Sequence, residues 1–326
     1  MKHKKFESPF LRRNLVTPTF DIIPDIHGQY EKLVDLISKL GWFQIQGSWQ
    51  HRDEGRKIIF LGDFIDRGKQ NLKVVSLIRN LQSEELAYAI IGNHELNAIY
   101  FHSQNPITGH PLRAHSPANI KQHKSFLNEF PLKNSETEDI INWFCSLPLF
   151  LDFNSFRVVH ACWTTSAIST LREINQVGIF SRDFYIENNL KKSKAYFAIE
   201  LLTKGPEAPL PVNTLFTDKT GIQRRALRLA WWRDKAKSWR DLAVSVPNTS
   251  LIPDSTFNNW DEIELYPKNA PPVFFGHYWM DSPLRVERQN ALCLDYSAGA
   301  NGPLVSYHFN PLLPDLALKN ITANSI

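Results

Sequence analysis

Short apolar runs of the length of a β-strand recur along this chain, and they are continuous rather than alternating with polar residues. They lie at residues 20–23, 57–61, 86–91, 156–159 and 273–275. Continuous apolar strands are typical of sheets whose two faces are both covered. The pattern therefore predicts a layered α/β protein.

Two amphipathic segments separate the first three predicted strands. Residues 30–40 place leucine and isoleucine at helical spacing, and Gly41 follows as a stop signal; residues 71–81 are amphipathic in the same way. A strand, a helix and a second strand in this order form a crossover between parallel strands. Residues 20–91 therefore predict two consecutive βαβ units.

The middle of the chain is harder to interpret. Residues 102–135 are rich in Pro, His, Asn and Ser and predict a long connection, whereas residues 136–146 predict a helix. Residues 176–255 lack the strand pattern, and we expect them to form an inserted, mainly helical cap. Strands return near the end of the chain at VFFGH, ALCLDY and LVSYHF. For 326 residues we expect one domain spanning 1–326 with this insertion.

Composition narrows the class of protein. Hydrophobic residues make up 43% and charged residues 21%, which excludes collagen-like, coiled-coil and wholly disordered chains. The net charge of +4 gives no reason to expect nucleic acid binding. No apolar run reaches the ~18 residues of a membrane span, and the basic residues 1–14 are not followed by a signal-peptide core. Three widely spaced cysteines without a CxxC pair indicate a reducing compartment, so we expect a cytoplasmic protein.

Polar clusters follow nearly every predicted strand. They are PDIHG at 24–28, GDFIDRG at 62–68, GNHE at 92–95, HAC at 160–162 and GH at 276–277. Each alone has an ordinary alternative, because a single Asp often caps a helix and Asn93 could form a turn. Ligands of open α/β sheets bind outside the carboxyl ends of the strands, so five clusters in this order should converge. Their oxygen and nitrogen donors suit a transition metal.

These motifs resemble those of the calcineurin-like metallophosphoesterases of the phosphoprotein phosphatase type. DIIPDIHGQY, KIIFLGDFIDRG and the following GNH are especially similar to bacterial phosphatases of the diadenosine tetraphosphatase group, and FFGHYW and LDYSAGANGPLVSY look like C-terminal signatures of that group. The resemblance is dense over 19–101, sparser over 156–162 and 273–309, and excludes 176–255. It implies an α/β sandwich of two mixed sheets flanked by helices, here with a helical cap insertion.

The resemblance also implies a site for two divalent metal ions. A carboxylate shared by two ions ~3.5 to 4 Å apart lets them hold a bridging water and lower its pKa. Mixed carboxylate and imidazole ligands favour Mn, with Fe, Zn or Ni as alternatives, over Mg. The implied ligands are Asp25 and His27 for the first metal, Asp63 shared between both metals, and Asn93, His160 and His277 for the second.

Three further residues acquire roles from the same resemblance. His94 would be the general acid, and Asp66 would fix its tautomer and raise its pKa. Arg67 would hold phosphoryl oxygens, unless it forms a salt bridge with Asp66 or Glu95. We interpret Glu95 as structural. Pro24 and Ala161 stand where the family usually has Gly, which changes the shape of the site without removing a ligand.

A basic segment lies within the expected insertion. Residues 181–240 contain 13 Lys and Arg against 6 Asp and Glu, a balance of +7. This surface could attract anionic substrates, or it could be a solvated helical face. Arg224, Arg225 and Arg228 could clamp phosphates while the nearby Trp231 and Trp232 stack on a base, although core packing of the two tryptophans is the favoured alternative.

The other histidines show no metal-ligand spacing, and we expect surface or loop roles for them. Cys162 is expected to be a small buried hydrophobic residue, with oxidation as the alternative. The remaining histidines are His3, His51, His102, His110, His115, His123 and His308.

The function implied by the resemblance is hydrolysis of a phosphate ester or anhydride by metal-bound hydroxide, without a phosphoenzyme. The principal hypothesis is a phosphatase for phosphoproteins or small phosphomonoesters. One alternative is a nucleoside polyphosphate hydrolase of the diadenosine tetraphosphate type. Another is an inactive module that binds a polyanion, against which the intact His94, Asp66 and Arg67 argue. We expect neither a nucleic acid nor a membrane partner.

Overall fold

A computed structural model describes residues 17–218 and 221–325. The basic start of the chain, including His3, lies outside the described residues. The helices are α1 Tyr30–Lys39, α2 Asn71–Ser83, α3 Asn93–Phe101, α4 Pro117–Glu129, α5 Ser135–Cys145, α6 Thr165–Arg172, α7 Arg182–Lys191, α8 Lys194–Lys204 and α9 Trp239–Leu242. Single 3₁₀ turns occur at Thr249–Leu251, Trp260–Glu262 and Leu318–Asn320.

The strands are short, and most of them belong to two sheets. In chain order they are β1 Thr19–Ile23, β2 Trp42–Ile45, β3 Ser48–His51, β4 Arg56–Phe60, β5 Ala87–Ala89, β6 Phe150–Asp152, β7 Arg157–Val159, β8 Glu207–Pro209, β9 Phe216–Thr217, β10 Gln223–Arg224, β11 Ala226–Leu229, β12 Ala243–Val244, β13 Val273–Phe275, β14 Ala291–Cys293, β15 Val305–Phe309 and β16 Ile321–Ala323.

Two mixed sheets form the centre of the molecule. The first has the order β16-β15-β1-β4-β5, with β1, β4 and β5 parallel and β15 antiparallel to β1. The second has the order β14-β13-β7-β6, with β13 parallel to both of its neighbours. Phe156, just before β7, and Phe274 of β13 pack against Phe309 of β15 in the first sheet. Their ring centroids lie 4.8 and 5.1 Å from that of Phe309. The predicted sandwich of two mixed sheets is confirmed.

Both predicted βαβ units are present, because β1 pairs in parallel with β4 and β4 with β5 across α1 and α2. The first unit contains an unpredicted hairpin, β2–β3, in which Ile45 pairs with Ser48. Gln46 and Gly47 form its turn with φ angles of 50° and 89°. Two-residue turns with positive φ at both positions match the twist of a hairpin, and glycine adopts the second position without steric strain.

The connection at 102–135 differs from the expectation because it contains α4. Ser116 caps this helix by accepting a hydrogen bond from the Asn119 amide, and Pro117 occupies its first turn. A serine cap followed by proline is a helix start signal. The helix buries His123 and Phe126, so this segment adds to the core.

Apart from the four-residue α9, the segment 176–255 is helical only as far as α8, which is a correction of its expected mainly helical character. Gly205 ends α8 with a φ of 74°, and Pro206, Pro209 and Pro211 follow, where the missing amide protons prevent a further helix. The rest forms a small sheet of order β12-β11-β8, the β9–β10 pair and the short α9. Among residues 17–218 and 221–325, no helix has both the length and the apolar character needed to cross a bilayer.

Candidate metal centre

The polar clusters predicted at the strand ends converge at one edge of the two sheets. On the first sheet, 24–28 follows β1, 62–68 follows β4, and 92–95 leads from β5 into α3. On the second sheet, 160–162 follows β7 and 276–277 follows β13. Because β7 and β13 are parallel neighbours, their carboxyl ends lie side by side. The arrangement brings together Asp25, His27, Asp63, Asn93, His160 and His277, all of which are buried.

Four donor atoms form one compact group. Asn93 Oδ1 lies 2.7 Å from His277 Nδ1 and 3.1 Å from His160 Nε2. Asp63 Oδ1 lies 3.4 Å from the same His160 nitrogen. The other ring nitrogen of His160, Nδ1, pairs with the Leu61 carbonyl oxygen at 2.7 Å, which fixes Nε2 toward the group.

The second oxygen of Asp63 faces a different group. Asp63 Oδ2 lies 3.8 Å from His27 Nε2, which lies 4.0 Å from Asp25 Oδ2. His27 Nδ1 pairs with the Ile65 carbonyl oxygen at 3.0 Å, so its Nε2 also faces inward. Asp63 therefore offers one carboxylate oxygen to each of two donor groups.

These residues fit a pair of divalent cations. Burial raises the pKa of Asp25, and the nearby charge of Asp295 raises it further. Burial alone would lower the pKa of His160, but the Asp63 carboxylate outweighs it and raises this pKa to about 10, so the surroundings favour positive charge. Buried carboxylates need compensating charge, and the oxygen and nitrogen donors suit transition metals.

The backbone of the site is held in an uncommon conformation. His27, Asp63, Asp66, Arg67 and His277 all have positive φ, between 52° and 71°. Non-glycine residues seldom adopt this region, and such strain is maintained where the surroundings impose it. One imposing group is Glu95, whose carboxylate accepts hydrogen bonds from the amides of Gly92, Asp63 and Phe64 at 2.8–3.0 Å. The structural role expected for Glu95 is confirmed.

His94 and Asp66 form a tight pair beside the donor group that contains His27 and Asp63 Oδ2. His94 Nδ1 lies 2.5 Å from Asp66 Oδ2, and His94 Nε2 lies 3.9 Å from Asp63 Oδ2. Burial would lower the pKa of His94, but the charges of Asp63 and Asp66 outweigh it and raise this pKa above its ordinary value. His94 faces the same space as His27 and Asp63, so geometry alone would also permit it to bind a metal.

Arg67 is placed by aromatic stacking. Its guanidinium lies 4.3 Å from the centroid of the Trp279 ring, and it forms no ion pair with Asp66 or Glu95, both of which the structure describes. Burial lowers the pKa of Arg67, and the surrounding carboxylates, Asp63 first, partly oppose this shift. A Cβ atom at Gly299 would approach Arg67 Cδ to 2.6 Å and His27 Cδ2 to 2.5 Å, so glycine leaves room for both side chains.

Sequence reasoning missed Asp295. Asp295 follows β14, which pairs in parallel with β13. Phe275 of β13 lies opposite Cys293 of β14, so His277 and Asp295 each come two residues after this pair on neighbouring strands. Burial raises the pKa of Asp295 to about 6, and its Oδ2 has no hydrogen-bond partner. The apolar run ALCL before Asp295 matched the strand-end pattern and could have indicated it.

Two histidines contradict the expected surface or loop roles. His102 and His123 are buried, and His123 Nδ1 lies 2.8 Å from Asp66 Oδ1. His102 Nε2 in turn lies 3.3 Å from His123 Nε2. No spacing rule could reveal this contact, because it depends on how α4 packs against α3.

The arginine cluster does not act as one unit with the two tryptophans. Trp231 and Trp232 are 0% and 1% exposed and pack on Phe275, so their core packing is confirmed and base stacking is wrong. Arg224 pairs with Asp218 at 2.8 Å and, like Arg225, is exposed. Arg228 is half-buried. Burial is the largest cause of the low pKa of His277, and the positive charge of Arg228 is the second largest. Cys162 is fully buried, and burial raises the pKa of its thiol, as expected of a hydrophobic residue.

Residues 18–278 match the model of the calcineurin-like phosphoesterase family. The chain therefore belongs to this family, as its motifs predicted. A crystal structure of a cold-active protein-tyrosine phosphatase from a psychrophilic Shewanella superposes with a TM-score of 0.51 at 14% identity, covering 94% of this chain and 80% of that one. At this identity the similarity concerns the fold alone.

The chain is also similar in sequence to proteins named asymmetrical bis(5'-nucleosyl)-tetraphosphatase PrpE. One, from Oceanobacillus iheyensis, is 34% identical over 143 residues, which is 43% of this chain and 54% of that protein. Another, from Halalkalibacterium halodurans, is 44% identical over 81 residues, which is 25% of this chain and 32% of that protein. The chain thus spans about a third to about half of the length of these relatives.

Proposed function

We propose that this protein is a phosphohydrolase that depends on two divalent metal ions. The observation that carries the proposal is the position of Asp63, whose two oxygens face two separate groups of buried donors. In this assignment Asp63 is shared between the metals. Asp25 and His27 complete the first site, and Asn93, His160 and His277 complete the second.

Two bound ions would supply Lewis acidity and lower the pKa of a water molecule between them. The protein groups orient the substrate and move the proton. Arg67 holds two phosphoryl oxygens with its guanidinium fork, and its stacking on Trp279 limits the orientations of the fork. His94 gives the Nε2 proton to the leaving oxygen, while its Nδ1 proton stays on the ring in a hydrogen bond donated to Asp66. The phosphoryl group passes directly to water.

We further propose Mn as the native metal, with Fe, Zn or Ni as alternatives, because the donors mix carboxylates with imidazoles. Three unpaired, buried cysteines support a location in the reducing cytoplasm.

Phosphomonoesters, on proteins or as small molecules, are the substrates that we propose. A single terminal phosphate needs only the metals, Arg67 and His94. Hydrolysis of dinucleoside tetraphosphates is a second candidate, which the name of the relatives and the position of Arg228 support. Arg228 could hold a phosphate beyond the scissile one. An inactive polyanion-binding module is disfavoured because the His94–Asp66 pair is intact.

A substrate screen tests the proposal. Phosphopeptides, p-nitrophenyl phosphate and dinucleoside tetraphosphates would be offered with Mn, Ni, Zn or Mg after removal of retained metal by chelation. We expect hydrolysis that is lost on chelation and restored by a transition metal. Hydrolysis that persists in thoroughly chelated protein, or none with any metal and substrate, would contradict the proposal.

Arg228→Ala separates the two substrate classes, with Arg225→Ala as a matched control on an exposed neighbour. If Arg228 holds a distal phosphate, its loss should lower kcat/KM for the dinucleotide by about 10- to 100-fold, because a hydrogen bond to a charged group contributes ~1.5 to 3 kcal/mol. The value for p-nitrophenyl phosphate should change little. Equal effects on both substrates would remove the structural support for the tetraphosphatase candidate.

A further inference from the structure

A chain of buried hydrogen bonds continues beyond the His94–Asp66 pair. Asp66 accepts from His94 Nδ1 on one carboxylate oxygen at 2.5 Å and pairs with His123 Nδ1 on the other at 2.8 Å. His123 Nε2 then meets His102 Nε2 at 3.3 Å. His123 is 0% exposed and packs between the rings of Phe101 and Phe126, with centroids 5.1 and 4.7 Å away.

The charge on Asp66 assigns the tautomers along this chain. Burial would raise the pKa of Asp66, but the hydrogen bonds from His123 and His94 outweigh it and hold this pKa well below its ordinary value. An ionised carboxylate only accepts hydrogen bonds, so both imidazoles carry a proton on Nδ1. Burial, with the charges of His123 and Arg182, lowers the pKa of His102 to about 3. Neutral His102 donates from Nε2 to His123, and its unpartnered Nδ1 is then a bare lone pair.

Helix α4 holds Asp66 at a second point. Glu129, at the end of α4, accepts hydrogen bonds from the amide nitrogen and side-chain nitrogen of Asn71, at 2.8 and 2.6 Å. Asn71 Oδ1 accepts a hydrogen bond from the Asp66 amide at 2.8 Å. The side chain and the backbone of Asp66 are therefore both attached to α4, and its backbone has the positive φ of 71° that such attachment can maintain.

The remote end of the chain of hydrogen bonds is also fixed. Arg182 of α7 donates to the His102 carbonyl oxygen and to Ser103 Oγ, and it pairs with Glu138 of α5. The path from His94 thus ends at α5 and α7, both of which pack against α3. Three helices must keep their places for Asp66 to keep its orientation.

We propose that His123, supported by His102, is a positioning residue that fixes Asp66 and thereby aims His94 at the leaving group. This inference rests on the proposed function, because it concerns the residue assigned there as the acid. A carboxylate with one partner can rotate about its side-chain bonds, whereas one held at both oxygens and at its amide cannot. Without His123, Asp66 would keep its hydrogen bond with His94, but its carboxylate plane would no longer be held in one orientation.

The kinetic test compares two leaving groups. His123→Ala should lower kcat for phenyl phosphate by about 10- to 100-fold, the usual effect of removing such a supporting partner, and should affect p-nitrophenyl phosphate much less. His123→Asn keeps a donor near the Nδ1 position and should restore most of the loss. Phe126→Leu is the matched control, because it disturbs packing on His123 without removing a hydrogen bond, and it should leave the ratio of the two rates unchanged.

The double variant His94→Asn/His123→Ala shows whether the residue acts through His94. If it does, His123→Ala should cause no further loss once His94 is absent. Equal losses on both leaving groups, or a full loss in the His94→Asn background, would overturn the proposal. His123→Leu provides the same comparison if the alanine variant does not fold, because leucine fills much of the space of the ring but cannot donate a hydrogen bond to Asp66.

A spectroscopic measurement does not depend on activity. Proton NMR of the metal-free protein should show downfield, exchange-protected imidazole N–H signals, among them one from His94 and one from His123, which are assigned by their loss in His94→Asn and in His123→Leu. In His123→Leu, which cannot donate to Asp66, the His123 signal should disappear and the His94 signal should shift. A His94 signal that is unchanged would overturn the positioning role, even if the wild-type protein hydrolyses every substrate. Failure of the proposed function would appear instead as an inactive wild-type protein with both signals present.

Discussion

Replacement of His94 by asparagine tests the distinction between a general acid and a metal ligand. The imidazole sits between the Asp66 carboxylate, 2.5 Å from Nδ1, and the Asp63 carboxylate, 3.9 Å from Nε2. Asparagine can keep a hydrogen bond to Asp66 but has no proton to release to a leaving oxygen. The change therefore removes acid catalysis and leaves Asp25, His27 and Asp63 in place.

The expected magnitude follows from the surroundings of His94. Burial would lower the pKa of His94, but the charges of Asp63 and Asp66 outweigh it and raise this pKa above its ordinary value, which favours the protonated form that can donate. General acid catalysis contributes about 10²- to 10⁴-fold. At ~1.36 kcal/mol for each factor of ten, the loss corresponds to about 2.7 to 5.4 kcal/mol of barrier height.

The assay measures kcat for phenyl phosphate and p-nitrophenyl phosphate, together with the metal content per chain. Phenol is the poorer leaving group and needs the proton more, so its rate should fall much further. Metal content should be unchanged. His115→Asn is the control, because His115 stacks on Phe101 and pairs with the Phe101 carbonyl oxygen, away from the donor groups.

Two results would refute this reasoning. Equal losses for the two esters would show that His94 does not protonate the leaving oxygen. Loss of one metal ion per chain would show that His94 is a ligand with His27 and Asp63, an arrangement that their geometry permits.

Three further predictions concern the site and the sheet beneath it. Asp63→Asn should be the most damaging ligand change for activity and metal content, because it weakens both donor groups, whereas Asp139→Asn, on the exposed surface, should have no effect. Gly299→Ala should lower metal affinity in a calorimetric titration, because its Cβ would displace His27 at a cost of about 1 to 3 kcal/mol. Asp21→Ala should reduce the free energy of unfolding in urea by about 3 to 5 kcal/mol, because it leaves Arg56 without its partner at 2.6 Å. Burial would raise the pKa of Asp21, but hydrogen bonds from His308 and Arg56 outweigh it and lower this pKa below its value in the unfolded chain. The contribution of Asp21 to the free energy of unfolding is therefore present above pH ~4 and should shrink as the pH falls further. A difference in unfolding free energy between wild type and Asp21→Ala that does not change with pH would contradict this.

The sequence pattern was sufficient to predict the parallel strands and the convergence of the polar clusters that follow them, whereas the choice of six candidate ligands within those clusters came from the family resemblance and stays a prediction. The reason is physical: chain reversals at the carboxyl ends of buried strands must contain polar residues, and the parallel arrangement brings those residues to one edge. The same rule would have found Asp295, which follows the apolar run of β14. The single-domain extent of the chain stays a prediction.

Other features depend on packing that no local pattern records. The Asp66–His123 contact joins residues 57 positions apart and requires α4, whose serine cap was present in the sequence but overlooked among polar residues. Five residues of the site, His27, Asp63, Asp66, Arg67 and His277, have positive φ without being glycine. The amides of four of them, all except Arg67, donate hydrogen bonds to partners distant in the sequence or across a turn, which no local pattern records. The nine tryptophans of the chain already favoured a buried role for Trp231 and Trp232. Only the fold shows that these two side chains are in the core while the neighbouring arginines are not.

The measurement that tests the central claim most directly is anomalous X-ray diffraction from crystals grown with Mn. Two peaks ~3.5 to 4 Å apart, one on each side of the Asp63 carboxylate, are the predicted result. The first should lie against Asp25 and His27, and the second against Asn93, His160 and His277. A single peak, or two peaks that do not share Asp63, would contradict the dinuclear account.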